Sequence, residues 1–198
     1  MKWKNPNDHW GAVSQFLHWL IVVLIVVMAW LGLTMTDLPN TPRKVEIYTL
    51  HKSIGLAILA LVLLRLAWRW HAGAPAALAS IPHWQRRMAA ATHAGMYLLL
   101  LAMPISGWVT HSASGFPLRW FGLFRVPPLT GHDEALQELS ATWHEWIFWT
   151  LVVMVLAHAA AAFWHHLFQK DATLLRMLPR RRSRAASITS TNRDNNDA

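Results

Sequence analysis

Four long apolar runs, separated by shorter polar segments, set the pattern of this chain. They fall near residues 16–35, 47–68, 88–110 and 143–164. Spanning a bilayer takes about 20 mostly apolar helical residues, and each run is long enough. The pattern predicts an all-α membrane protein, a four-helix transmembrane bundle. Lys2 and Lys4 precede the first run in the manner of a signal peptide. The run is too long for one, and no small-residue cleavage site follows it, so it reads as a retained helix. Local signals refine the ends. Thr41 followed by Pro42 reads as an N-cap and first helical residue of the second helix. "GHDEALQEL" predicts that the fourth helix begins before the membrane, because acids favour a first turn. Pro104 should kink the third helix. "LRWFGLF", in the long third connection, reads as a segment lying flat on the surface. The expected organisation is one membrane domain over residues 1–182 and a disordered polar tail over 183–198.

Composition and charge add an orientation. Of 198 residues, 54% are apolar and 14% charged, low for a water-soluble domain. Four spans put both termini and the second connection on one side. That side carries 13 of the 18 Lys and Arg and the other side 5, so both termini are expected to be cytoplasmic. With acids included, the terminal side is net +9 and the opposite side −1. The basic excess is therefore topological, and "PRRRSR" suits anionic lipid headgroups rather than nucleic acid. Most of the 13 tryptophans fall near helix ends, as in interfacial aromatic belts. There is no cysteine, which excludes disulfides, thiolate metal sites and covalent C-x-x-C-H haem attachment.

Histidines supply the candidate chemistry. His144 and His158 lie in the same apolar run, fourteen residues apart. On a helix that spacing is a rise of about 21 Å and close to a whole number of turns, so both face one way. His18 lies near the start of the first helix and His51 early in the second. Depth pairs His18 with His158 and His51 with His144, two levels sharing the fourth helix. A porphyrin iron needs only two axial ligands from the protein, whereas bare zinc needs a third or fourth. Bis-histidine haem fits the pattern better. A lone intramembrane histidine is equally well explained by a hydrogen bond across helices; four in two depth-matched pairs are not. Gly55, one turn after His51, leaves room for a ring edge or for a helix contact, and Arg65 or Lys52 is placed to meet haem propionates or to snorkel. His93 and His165 read either as residues that flank the haem on the terminal side and touch a substrate, or as ordinary interfacial histidines. His9, His71, His83, His111 and His132 read as solvated loop or interface residues.

"QFLHWLIVV", "LHKSIGLAIL", "ATHAGMYLLLLAMPISG", "WHEW", "LAHAAAAFWHH" and "KDATLLRMLPRRR" occur in this order. The chain resembles the bacterial cytochrome b561 family over nearly its whole length. The resemblance implies a multi-pass protein of the bacterial inner (cytoplasmic) membrane with two b haems. His18 and His158 would ligate the haem nearer the cytoplasm, and His51 and His144 the haem nearer the periplasm. It also implies a ubiquinone pocket at His93 and His165, and a superoxide:ubiquinone oxidoreductase activity as found among family members of this length. Superoxide would gain from cationic steering, for which Lys52, Arg119 and Arg125 are the candidates. The expected partners are membrane lipid, quinone, and a small one-electron donor or a periplasmic redox protein. The alternative is a membrane anchor that moves electrons for a separate dehydrogenase or periplasmic partner.

Overall fold

A computed structural model describes residue 5, residues 9–76 and residues 81–178. Four helices, α1 (Ala12–Met35), α2 (Pro42–Ala72), α3 (His83–Ala113) and α4 (Glu134–Trp164), form the bundle. All four are long and apolar enough to cross a membrane. They outrun the apolar runs that predict them, because polar residues extend each helix past the hydrocarbon. At 1.5 Å per residue, the 31 residues of α2 span about 46 Å.

The helix starts follow local chemistry. Thr41 is the N-cap of α2 with Pro42 in its first turn. The Thr41 hydroxyl turns back to the Pro39 carbonyl (3.3 Å) and not onto the helix. Asp133 caps α4 by accepting the Leu136 N–H (3.0 Å), so α4 does begin ahead of the membrane. α3 continues unbroken through Pro104. Hydroxyls within the spans bond carbonyls of their own helix, as Thr49 does with Val45 (2.8 Å) and Thr150 with Trp146 (2.8 Å). In hydrocarbon no water is present to satisfy them.

Packing runs α1 on α2, α2 on α3 and α3 on α4. Ile21, Ile58 and Val62 form the buried core, with Leu24, Met28, Ile54, Tyr97 and Leu100 against it. Large apolar side chains also point outward: Val26 is 65% exposed, Leu98 68% and Leu156 64%. That inversion suits a lipid surround.

The two ends of the bundle differ. At one end Asn5 donates to the Gly73 carbonyl (2.6 Å), and Trp10 N–H to Arg176 (3.2 Å). Asn5, Trp10, the end of α2 and the segment after α4 are thus gathered together. At the other end, the segment read as lying flat on the surface takes the form of a largely exposed hairpin. Strands β1 (Leu118–Trp120) and β2 (Phe124–Val126) pair antiparallel with Arg119 opposite Arg125. Phe121 (φ 45°) and Gly122 (φ 75°) make the tight left-handed turn. Ser53 of α2, fully buried, anchors it: its hydroxyl accepts Phe121 N–H (3.0 Å) and its carbonyl accepts Trp120 Nε1–H (3.1 Å). Trp19 and Trp108 also bond backbone carbonyls, at Met177 and Pro127. The tail expected over residues 183–198 lies outside the described residues.

Candidate functional site

Each histidine pair faces itself across the bundle. The rings of His18 (α1) and His158 (α4) have centroids 6.4 Å apart and planes 85° apart. Those of His51 (α2) and His144 (α4) are also 6.4 Å apart, at 68°. Two imidazoles on one metal, each bond about 2 Å and each centroid about 1 Å behind its nitrogen, would stand roughly 6 Å apart. Both pairs therefore have the width of a ligand sandwich and are too far apart for direct hydrogen bonding. Among the described residues no cluster of three or more His, Cys, Asp or Glu could hold a bare metal ion. The donor set fits a group that brings its own equatorial ligands.

Surrounding residues cradle the pairs. A Cβ on Gly107 of α3 would lie 3.0 Å from His144 Cε1, so any larger residue would press that ring out of its place by a few tenths of an ångström. A Cβ on Gly32 would meet His51 Cε1 at 3.4 Å. Gly55 instead faces Met28 of α1 and serves the helix contact. The Ser106 hydroxyl donates to the Met103 carbonyl (2.8 Å) and lies 2.9 Å from His144 Nδ1. It can then accept an Nδ1–H, leaving Nε2 with its lone pair. His51 Nδ1 is buried without a partner among the described residues. Arg65 NH1 donates to His18 Nδ1 (2.8 Å), and its Nε donates to the Tyr97 hydroxyl (3.1 Å). A guanidinium cannot accept. Coordination through His18 Nε2 would put a proton on Nδ1, and Arg65 must then turn away from the ring.

The other candidates divide. His93 packs against His158, centroids 5.3 Å apart. His165 lies at the end of α4, where Nδ1 meets Asp171 Oδ2 at 2.5 Å. Burial alone would raise the Asp171 carboxyl; hydrogen bonds from Thr173 and His165 outweigh it and hold the group below its ordinary range. Lys52 Nζ is 3.3 Å from His111 Nδ1. Arg119 and Arg125 stand opposite each other on the hairpin, both exposed. Two histidines read as solvated are structural instead. His111 faces Lys52, and His132 Nδ1 bonds the Ala113 carbonyl (2.9 Å), because the third connection folds back over the end of α3.

The family model described as prokaryotic cytochrome b561 matches residues 9–180. The chain belongs to the prokaryotic cytochrome b561 family. It is 35% identical over 179 residues to cytochrome b561 homolog 2 of Escherichia coli (strain K12), covering 90% of this chain and 95% of that protein. It is 31% identical over 181 residues to cytochrome b561 homolog 1 of the same organism (88% and 99%). Over 176 residues it is 29% identical to the probable superoxide oxidase CybB of Yersinia pestis (84% and 93%). As a cytochrome b561 it is a multi-pass membrane protein of electron transfer, and the family implies b haem.

Sequence reasoning missed Gly107, Gly32, Ser106 and Asp171. The glycines carried a trace: each lies in an apolar helix with no turn to explain it. Ser106 and Asp171 carried none, since a hydroxyl and an acid near a helix end have ordinary local uses.

Proposed function

We propose that this cytochrome b561 moves electrons across the inner membrane through two b haems, from a one-electron donor in the periplasm to ubiquinone on the cytoplasmic side. The observation that carries the reading is the pair of equal 6.4 Å histidine couples sharing α4. His18 and His158 hold one haem, and His51 and His144 hold the other. Haem b would supply reversible one-electron chemistry there, with a histidine pair as its protein ligands. The chain's residues set the rest. Ser106 orients His144, and Gly107 and Gly32 make room for the ring positions. Ile58 and Val62 keep water out between the two levels. Arg65, once turned from His18, is placed to meet a propionate. The excess of Lys and Arg on the terminal side supports termini in the cytoplasm.

Superoxide is the donor we favour. Like charges directly opposite in a ladder are unfavourable, yet Arg119 faces Arg125 on the exposed hairpin. The pair makes a local cationic patch, and its hairpin is anchored at Ser53, two residues from His51. A relative named probable superoxide oxidase supports the same donor. His93, against His158, and His165, at the end of α4, are the quinone-facing residues. The −1 balance of the periplasmic side favours a second reading, in which a periplasmic redox protein or separate dehydrogenase is the donor. Copurification of such a subunit would support it.

Rapid mixing of the purified protein with superoxide, with and without a quinone analogue, tests the proposal. Haem reduction faster than spontaneous dismutation, followed by quinone-dependent reoxidation, is the expected result. Haem that stays oxidised on that timescale removes the superoxide assignment.

A further inference from the structure

The end of α4 is built unusually, and the construction has a chemical consequence. Helix α4 closes in a π-helical turn, His165–Gln169, a form that often accompanies functional sites. Lys170 then adopts a left-handed conformation (φ 51°, ψ 32°), uncommon for a side chain of its size. The reversal brings Asp171 N–H back to the His165 carbonyl (3.2 Å) and the Asp171 carboxylate onto the His165 ring (2.5 Å). Asp171 Oδ1 accepts Thr173 N–H at 2.8 Å, which fixes the carboxylate. Only 18% of the His165 side chain and 12% of the Asp171 side chain are exposed. The following segment is tied to α1 by Gln15 Nε2 to Leu178 (3.2 Å) and Trp19 Nε1 to Met177 (3.0 Å). The pair is therefore held, not draped.

A carboxylate on Nδ1 fixes the tautomer, steadies an imidazolium and presents Nε2. His165 Nε2 has no partner among the described residues. Reducing a quinone to a quinol takes two electrons and two protons, and lipid supplies no protons. We propose that Asp171 is the positioning partner of His165, and that this dyad delivers a proton to the quinone at the terminal end of the bundle. The proposal rests on the quinone reading above. As the electron arrives through the membrane relay, the His165 Nε2–H bond breaks and an O–H bond forms on the near quinone oxygen. The neutral imidazole keeps its Nδ1–H on Asp171 and regains a proton at Nε2 from water at the membrane face. The far oxygen takes its proton from the same water, with the second electron.

The test uses the reduced holoprotein, reoxidised in single turnovers by a short-chain ubiquinone or by ferricyanide, which takes electrons without protons. Asp171→Asn keeps an acceptor for Nδ1–H but loses the charge. It should slow reoxidation at saturating quinone by about 10-fold or more, within the range of general-acid effects. Its half-saturating quinone concentration, haem content and ferricyanide rate should stay as in the wild type, and Asp171→Glu should recover most of the quinone rate. A wild-type quinone rate in Asp171→Asn overturns the proposal. So does a parallel fall with quinone and ferricyanide, or haem loss in both variants, since either makes the pair merely structural. A wild-type protein reoxidised by ferricyanide but not by quinone refutes the quinone reading itself, and this proposal with it.

Discussion

Alanine at Gly107 should unseat one histidine and leave the bundle standing. The added Cβ would sit 3.0 Å from His144 Cε1 and 3.3 Å from Nδ1. Carbon atoms pack best about 3.5–4.0 Å apart, so the ring must retreat by about 0.5 Å. Helix α3 packs closely on α4, which leaves the backbone little freedom to absorb the shift. Overpacking of this kind costs about 1–3 kcal/mol, while alanine in place of glycine favours a helix by about 1 kcal/mol. The two nearly offset, and the fold survives. A metal–imidazole bond tolerates only about 0.2 Å, so the displacement falls on ligation. The assay is haem per chain by pyridine haemochrome, with reduced spectra to tell the haems apart. Gly107→Ala should lose most of the haem at the hairpin end and keep the other. Gly32→Ala, at 3.4 Å from His51, should have a milder effect. Gly55→Ala, whose nearest neighbour is Met28 Cε at 3.6 Å, should have none. Full occupancy and an unchanged spectrum in Gly107→Ala would refute the reasoning.

Other expectations follow from single contacts. Ser53→Ala leaves Phe121 N–H without its acceptor, at a cost of about 1–3 kcal/mol. The hairpin should then exchange amide hydrogens and be cut by protease faster, with helix content unchanged; equal protection in both proteins would show that Ser53 is no anchor. Arg65→Gln removes the positive charge beside His18, 2.8 Å from its Nδ1; on a group at roughly twice the 4 Å at which unit charges interact by about 4 kcal/mol at an effective dielectric near 20, that charge would be worth at most about 2 kcal/mol. The potential of the haem held by His18, read by redox titration, should fall by up to about 90 mV for one electron, and a rise would contradict the placement. The Asp171 carboxyl lies below its ordinary range, so its folded-state proton affinity is the weaker one. Its pairing with His165 is complete above the usual carboxylate range and is lost only as pH falls through the lower folded value. The aspartate carboxylate band in infrared difference spectra should accordingly persist below the pH at which free aspartate protonates; titration at or above the ordinary value would contradict it.

Fold and site were legible to different depths, for physical reasons. Membrane helices show in sequence because apolar length is local, and α1 to α4 all appear as runs. Their ends do not, because helix continues into water wherever propensity and caps allow, as at His83 and Glu134. The pairing of His18 with His158 and of His51 with His144 was legible because helical rise converts sequence position into depth. Gly107 under His144 was not, since it depends on how α3 rotates against α4. The β1–β2 hairpin was read as a surface segment: three-residue strands are too short for alternation to register, and its anchor Ser53 lies 68 residues away from Phe121. Asp171 was missed because the π turn and left-handed Lys170 that return it to His165 leave no mark in the residue pattern.

Haem content and reduced spectra of the four single variants His18→Ala, His51→Ala, His144→Ala and His158→Ala test the central claim most directly. The variants should fall into two classes, each keeping one b haem. His18→Ala and His158→Ala should share one residual spectrum, and His51→Ala and His144→Ala the other. Four indistinguishable variants, or a grouping of His18 with His51 or His144, would contradict the account.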